Sequence, residues 1–418
     1  MRRLPPILVA LASFVSLAPA RAEPPPAPPA PSDPLAPHGA FKVERYPPSW
    51  RLKVAESIER GVESIKRMQE SDGHWGGAKD PQVMGHTALP LLTLLKAGVP
   101  ADDEHVTLAF TFLDTQAFSY TYSAACYLMA IHARYAPHLD TLDTDVDTAR
   151  AARSDPAATK ALLSPVHAKR VEQGLAFLRS AQTADGLWSY GVQLEGRRDY
   201  DLSNTQYALL GLRAAADCGA EVPDEVWRAS LRALATHQEA KGPKSELQTL
   251  EVKDGYAFQH RDASSARGWR YKDEFTDGPL GKATVPTLPT TGSMTTSGLG
   301  CLAIAREGLW HTRRFTGRER KQVEDALRDG LTWLQDHYDV TDNPGAPGAN
   351  HLYYLYGLER AGMLLGRRWV GTHDWYREGA DLLMGLQTEA GAWGDHVACS
   401  FAVLFLKRAT RTPDVTGD

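Results

Sequence analysis

The chain is poor in cysteine: four in 418 residues. A disulfide scaffold needs a much higher density, so that class is excluded. Positive charge is not in excess either, because 46 Lys and Arg face 51 Asp and Glu. A generally basic nucleic-acid binder is therefore excluded. Strict apolar–polar alternation is missing, so β structure is not expected. The apolar run nearest the start, Leu4–Ala18, is too short and too proline-interrupted to span a membrane. With 43% hydrophobic and 23% charged residues, wholesale disorder is excluded as well. In contrast, the chain holds 35 Gly and 27 Pro, and their positions organise the rest of the reading.

Arg2 and Arg3 precede that apolar run, which ends in A-P-A-R-A at Ala22. A basic start, a short apolar core and a small-x-small ending read as a secretory signal peptide over residues 1–22. Residues 23–48 read as a Pro-rich linker, with eight prolines between Glu23 and Pro37. The expectation is an exported protein, periplasmic or secreted. Cys126, Cys301 and Cys399 sit inside apolar helical runs and read as small buried hydrophobes, while Cys218 ends a helix.

One phrase recurs along the remainder: Arg60–Trp75, Gln173–Trp188 and Glu378–Trp393 each end in Gln, a short turn with Gly, and Trp. Shorter copies end at Gln116, Gln238 and Tyr338, giving six. Each is an amphipathic helix whose Gln marks the end and whose Gly makes the turn. Each is followed by a segment that is apolar around its whole circumference, starting near Gly85, Ser119, Asp201, Met294, Asn350 and Asp395. A helix apolar on every side is buried on every side. Six half-exposed outer helices around six buried inner ones predict an all-α (α/α)6 toroid over residues 49–409. Residues 137–165 read as an exposed loop, 239–292 as a long insertion that folds over the ring mouth, and 410–418 as a tail.

The phrase resembles the QW repeat of squalene-hopene and oxidosqualene cyclases. The wider group includes the protein prenyltransferase β subunits, which share the α/α toroid. The resemblance covers roughly residues 50–408 and implies the fold, with an isoprenoid-like ligand as an expectation. In the cyclases a D-x-D-D-T-A motif opens one inner helix and its central Asp is the protonating acid. Matching its Thr to Thr205 sets Asp201 at the first Asp, Ser203 at the acid and Asn204 at the last Asp. A serine hydroxyl cannot protonate an alkene, so classical cyclase acid chemistry is not expected. Asp143–Ala149, D-T-D-V-D-T-A, lies in a polar loop and is set aside as coincidence. The prenyltransferases bind zinc through Asp-x-Cys and a later His. Here Asp395 and Cys399 are four apart and His351 comes before them, so zinc on His351, Asp395 and His396 is conceivable but no metal is assigned. The thioester motif of complement-type toroids is absent from the sequence.

In a toroid all inner helices start at one rim. The candidate ligand-binding residues there are His86, Tyr122, Asp201, Asn204, Thr295, His351, Tyr354, Asp395 and His396. Six convergent helix starts give a positive field, and tyrosines below them an apolar throat. Together they fit an amphiphilic or isoprenoid-like ligand with an anionic head. Two other readings stay open: a carbohydrate-active hydrolase or lyase, which needs paired carboxylates, and a non-enzymatic interaction scaffold. The capping role alone accounts for Asn204, Thr295 and Asp395.

Overall fold

The computed structural model describes residues 40–77, 79–136, 155–192, 199–272, 275–278, 281–284, 288–310, 312 and 315–410. The expected signal peptide, most of the linker, the Asp143–Ala149 motif and nearly all of the tail lie outside these residues. The described chain is mostly helical, with 13 helices and few strands, consistent with a helical toroid.

Six helices are amphipathic: α1 (Pro48–Arg67), α3 (Glu104–Asp114), α6 (Pro165–Ala181), α8 (Asp224–His237), α10 (Gly317–Asp336) and α12 (Trp375–Leu386). In α1 the buried side is Trp50, Val54, Ile58, Val62 and Ile65, a single stripe at helical spacing. Six others are nearly all buried: α2 (Val83–Ala97), α4 (Thr121–Tyr135), α7 (Leu202–Asp217), α9 (Gly292–Leu309), α11 (His351–Leu364) and α13 (His396–Lys407). A short α5 (Pro156–Leu162) occupies part of the stretch expected to be loop. Packing among the buried six is cyclic. Helix α2 meets α4, α4 meets α7, α7 meets α9, α9 meets α11, α11 meets α13, and α13 returns to α2.

Each full repeat is fastened by its Gln and Trp. The Nε1 of Trp75, Trp188 and Trp393 donates to the carbonyls of Ile65, Leu178 and Leu383, at 2.7–2.8 Å. In each case the acceptor lies four residues before the Gln, in the last turn of the helix, where backbone carbonyls are incompletely paired. The Gln amide then ties its own turn to the next outer helix. Gln69 reaches His105 O at 2.9 Å, and Gln182 reaches Val226 O at 3.2 Å. Gln387, in the last repeat, donates to Ser57 O of α1 at 2.9 Å, joining the end of the chain to its beginning.

Two expectations are corrected. Strands do form, and the insertion is not irregular. β2 (Lys244–Lys253) and β3 (Tyr256–Ser265) make an antiparallel hairpin, and β1 (Ala40–Lys42), from the end of the linker, pairs with β3 as a third strand. Asp254 and Gly255 turn the hairpin with φ of 52° and 81°, the left-handed pair such a two-residue turn needs. The hairpin packs along outer helix α10 rather than over the mouth. Its pairing was not legible because most of the faces of both strands are solvated, so apolar alternation is weak. Two further antiparallel pairs complete the strands of the described residues: β4 (Phe275–Gly278) with β5 (Gly281–Thr284), four residues each, and β6 (Trp369–Val370) with β7 (His373–Asp374), two each.

The insertion also conceals a fourth complete repeat. Gln238 donates to Arg267 O and Ala326 O at 2.9 Å, and Trp269 Nε1 donates to Leu234 O at 2.9 Å. The chain departs at Glu239 and returns at Gly268, with Glu239 N donating to Gly268 O at 3.1 Å. The Trp269 ring lies so close to Gly298 that any Cβ there would stand 2.4 Å from it.

Candidate functional site

The buried helices start on one side. A Cβ on Gly85, third in α2, would meet the ring of Tyr122, second in α4, at 2.6 Å. Tyr353, third in α11, donates its hydroxyl to Gln206, fifth in α7, at 3.1 Å. Helices that touch through their first turns are parallel. Their unpaired N–H groups therefore share one mouth and give it positive potential.

Two polar clusters stand at this mouth. In one, His86 Nδ1 pairs with Asp80, just before α2, and the imidazole lies 6.0 Å from that of His396 and 6.3 Å from the Tyr122 ring. Burial holds the His396 pKa below the ordinary imidazole value; Asp395 opposes this and His86 adds to it. In the other cluster Asp201 caps α7. Its Oδ1 accepts from Ser203 Oγ and Asn204 N, both at 2.7 Å, and its Oδ2 accepts from Asn204 Nδ2 at 2.9 Å. Burial pushes the Asp201 carboxyl up, against those three hydrogen bonds. Tyr271 leans over it, its hydroxyl 3.0 Å from that of Tyr190.

Between the clusters lies an aromatic floor. The Tyr122 and Tyr207 rings meet edge to face at 4.6 Å, Tyr207 stacks toward Tyr353 at 6.5 Å, and Tyr353 meets Phe401 at 5.7 Å. Tyr122 and Tyr353 are half-buried, whereas Tyr207 and Phe401 are buried. Beneath them is a residue that the sequence reading missed. The Arg360 guanidinium, 1% exposed, lies 3.9 Å from the Tyr356 ring centre, with Tyr207 and Tyr353 at 5.6 and 5.9 Å. Its Nη2 donates to Gln206 Oε1 at 2.7 Å. The available signal was the pair Glu359–Arg360 in the middle of an otherwise apolar inner helix.

The remaining expected residues take other places. Thr295 is fully buried; its Oγ1 accepts from Trp269 N at 3.3 Å, as Thr87 and Thr205 do from Trp75 and Trp188. It serves the repeat rather than the mouth surface. Tyr354 is likewise buried and its ring packs against Gly292. The Nε2 of His351 is engaged by Val340 O at 2.7 Å, while His396 faces His86, so the zinc triad is not assembled. Among the described residues no three His, Cys, Asp or Glu side chains are placed to hold a metal ion. Asp395 caps α13, accepting from Ala398 N at 2.8 Å. All four cysteines are free and buried. No helix of the described chain is long and apolar enough to cross a membrane.

No family model matches the chain, and no curated protein does. Among solved structures it is similar to type II terpene cyclase MstE from Scytonema. A variant in complex with the substrate geranylgeranyl dihydroxybenzoate shows 10% identity over 86% of this chain and 97% of that one, with a TM-score of 0.49. Another variant of the same cyclase, in complex with the product merosterolic acid A, gives 10% identity, 86% and 97% coverage and a TM-score of 0.47.

Proposed function

We propose that the chain is an exported (α/α)6 toroid that binds an amphiphilic or isoprenoid-like ligand at its mouth and lacks cyclase acid chemistry. The observation that carries this reading is the mouth itself: two half-buried tyrosines form an apolar floor between imidazoles and convergent helix starts. An apolar tail lies on such a floor, and an anionic head is favoured by the N–H groups around it. The acid is lacking because Ser203 stands at its position and spends its hydroxyl on Asp201. The cyclic packing of the six buried helices, and the bond from Gln387 back to Ser57, support the closed ring.

Native mass spectrometry of the exported protein titrated with farnesyl phosphate tests this. One adduct per chain is expected, weakened at least tenfold in Tyr122→Ala and Tyr353→Ala. Failure to form any adduct with a folded protein overturns the reading. A second reading, an interaction scaffold without a ligand, is favoured by one observation: the buried Arg360 and its tyrosines sit at the base of the mouth and limit its depth. It is the reading that a missing adduct would leave.

A further inference from the structure

Arg360 is a full positive charge, and among the described residues no side-chain carboxylate hydrogen-bonds to it. The carboxylate next to it in the chain is Glu359, whose two oxygens are taken by Thr410 N at 2.9 Å and Thr410 Oγ1 at 2.8 Å. Burial pushes the Glu359 carboxyl up to about 7, so its own charge is incomplete at neutral pH. The surrounding phenols and thiols cannot supply a charge either. Burial raises Tyr353 and Tyr356 to about 12, and lifts Tyr207, Cys126 and Cys301 as well. Arginine cannot escape by losing its proton.

The hydrogen bonds are unbalanced in the same sense. Gln206 Oε1, which accepts from Arg360 Nη2, is used twice, since it also accepts from the Tyr353 hydroxyl. Four buried polar atoms around it have no partner among the described residues: Arg360 Nε, Arg360 Nη1, Gln206 Nε2 and Tyr207 Oη. The three nitrogens can only donate. Stacking on Tyr356 engages the face of the guanidinium and leaves the in-plane N–H groups on Nε and Nη1 unused. A water molecule would accept hydrogen bonds here but would bring no charge, and an uncompensated buried charge is strongly disfavoured.

We propose that the ring axis binds a small monovalent anion, held by the Arg360 Nε and Nη1 donors with the Gln206 amide and the Tyr207 hydroxyl. It closes the base of the mouth as an internal counter-ion, and it does not depend on which ligand the mouth takes. Bromide is a suitable probe. Crystals soaked in sodium bromide should show an anomalous peak within hydrogen-bonding distance of Arg360 Nε or Nη1. In solution, bromide should raise the wild-type melting temperature by about 2 °C or more over gluconate at equal ionic strength. Gln206→Glu places a fixed carboxylate where Arg360 Nη2 already donates. It should melt above the wild type and lose the bromide response. Arg360→Met should lose the response too. If Arg360→Met does not fold, Gln206→Glu decides alone. A peak-free axis, or a bromide response of the same size in Gln206→Glu, overturns the proposal.

Discussion

Glu359 shows how a single buried carboxyl sets a pH dependence. Its folded pKa stands near 7 against 4.5 when free, and burial is the main cause. Between those values the folded state binds the proton that the unfolded state has released. Stability is therefore greatest below about pH 4.5, as far as this group is concerned, and falls as pH rises through 7. The total effect is on the order of 3 kcal/mol. Urea unfolding from pH 4.5 to 8 should show this decline in the wild type. Glu359→Gln should flatten it, because the neutral amide still accepts from Thr410. An unchanged slope in the variant would remove Glu359 as its source. The pairs Asp201–Asn204 and Asp395–Ala398 illustrate the opposite lesson. Residues that read as possible ligands in sequence are spent as helix caps once the backbone is in place.

At the scale of an element, the Gln–Trp fastening is where sequence pattern and energy meet. An indole buries about 200 Å² and so contributes about 5 kcal/mol gross, but its position is fixed by the Nε1 hydrogen bond. Trp188→Phe keeps much of the ring and leaves Leu178 O without its donor. We expect a loss of about 1–3 kcal/mol, measured by chemical denaturation. Three copies were legible because Gln and Trp are six residues apart in each. The fourth was not, because a hairpin separates Gln238 from Trp269 while the bonds remain the same. Replacing residues 244–265 by a short Gly-Ser turn should therefore leave far-UV helicity and cooperative unfolding intact. The melting temperature should drop, since Leu247 and Ala257 lose their burial and Ser264 its bond to Asp329. Collapse of the helical signal would show that the hairpin is part of the core instead.

At the scale of the molecule, the junction of first and last repeats is the point to probe. Gln387 donates to Ser57 O and accepts from Ser57 Oγ at 2.9 Å, with Arg60 also on its amide oxygen. Gln387→Ala should cost about 1–3 kcal/mol and raise protease sensitivity in α1 ahead of the other helices. Equal sensitivity throughout would argue against a special junction. The proposed export makes its own prediction: the mature chain should begin at Glu23 on N-terminal sequencing, and a chain beginning at Met1 would reject the cleavage reading.

The sequence alone determined the helix pairs, their order and which member is buried. These follow from local periodicity, capping and turn chemistry, each written within about fifteen residues. Tertiary structure decided the rest. Arg360 and Gln206 lie 154 positions apart, and His86 and His396 farther still, so no local pattern announces either pair. Only packing of one helix against another sets which polar atoms meet, which are spent on the backbone, and which are left over as a site.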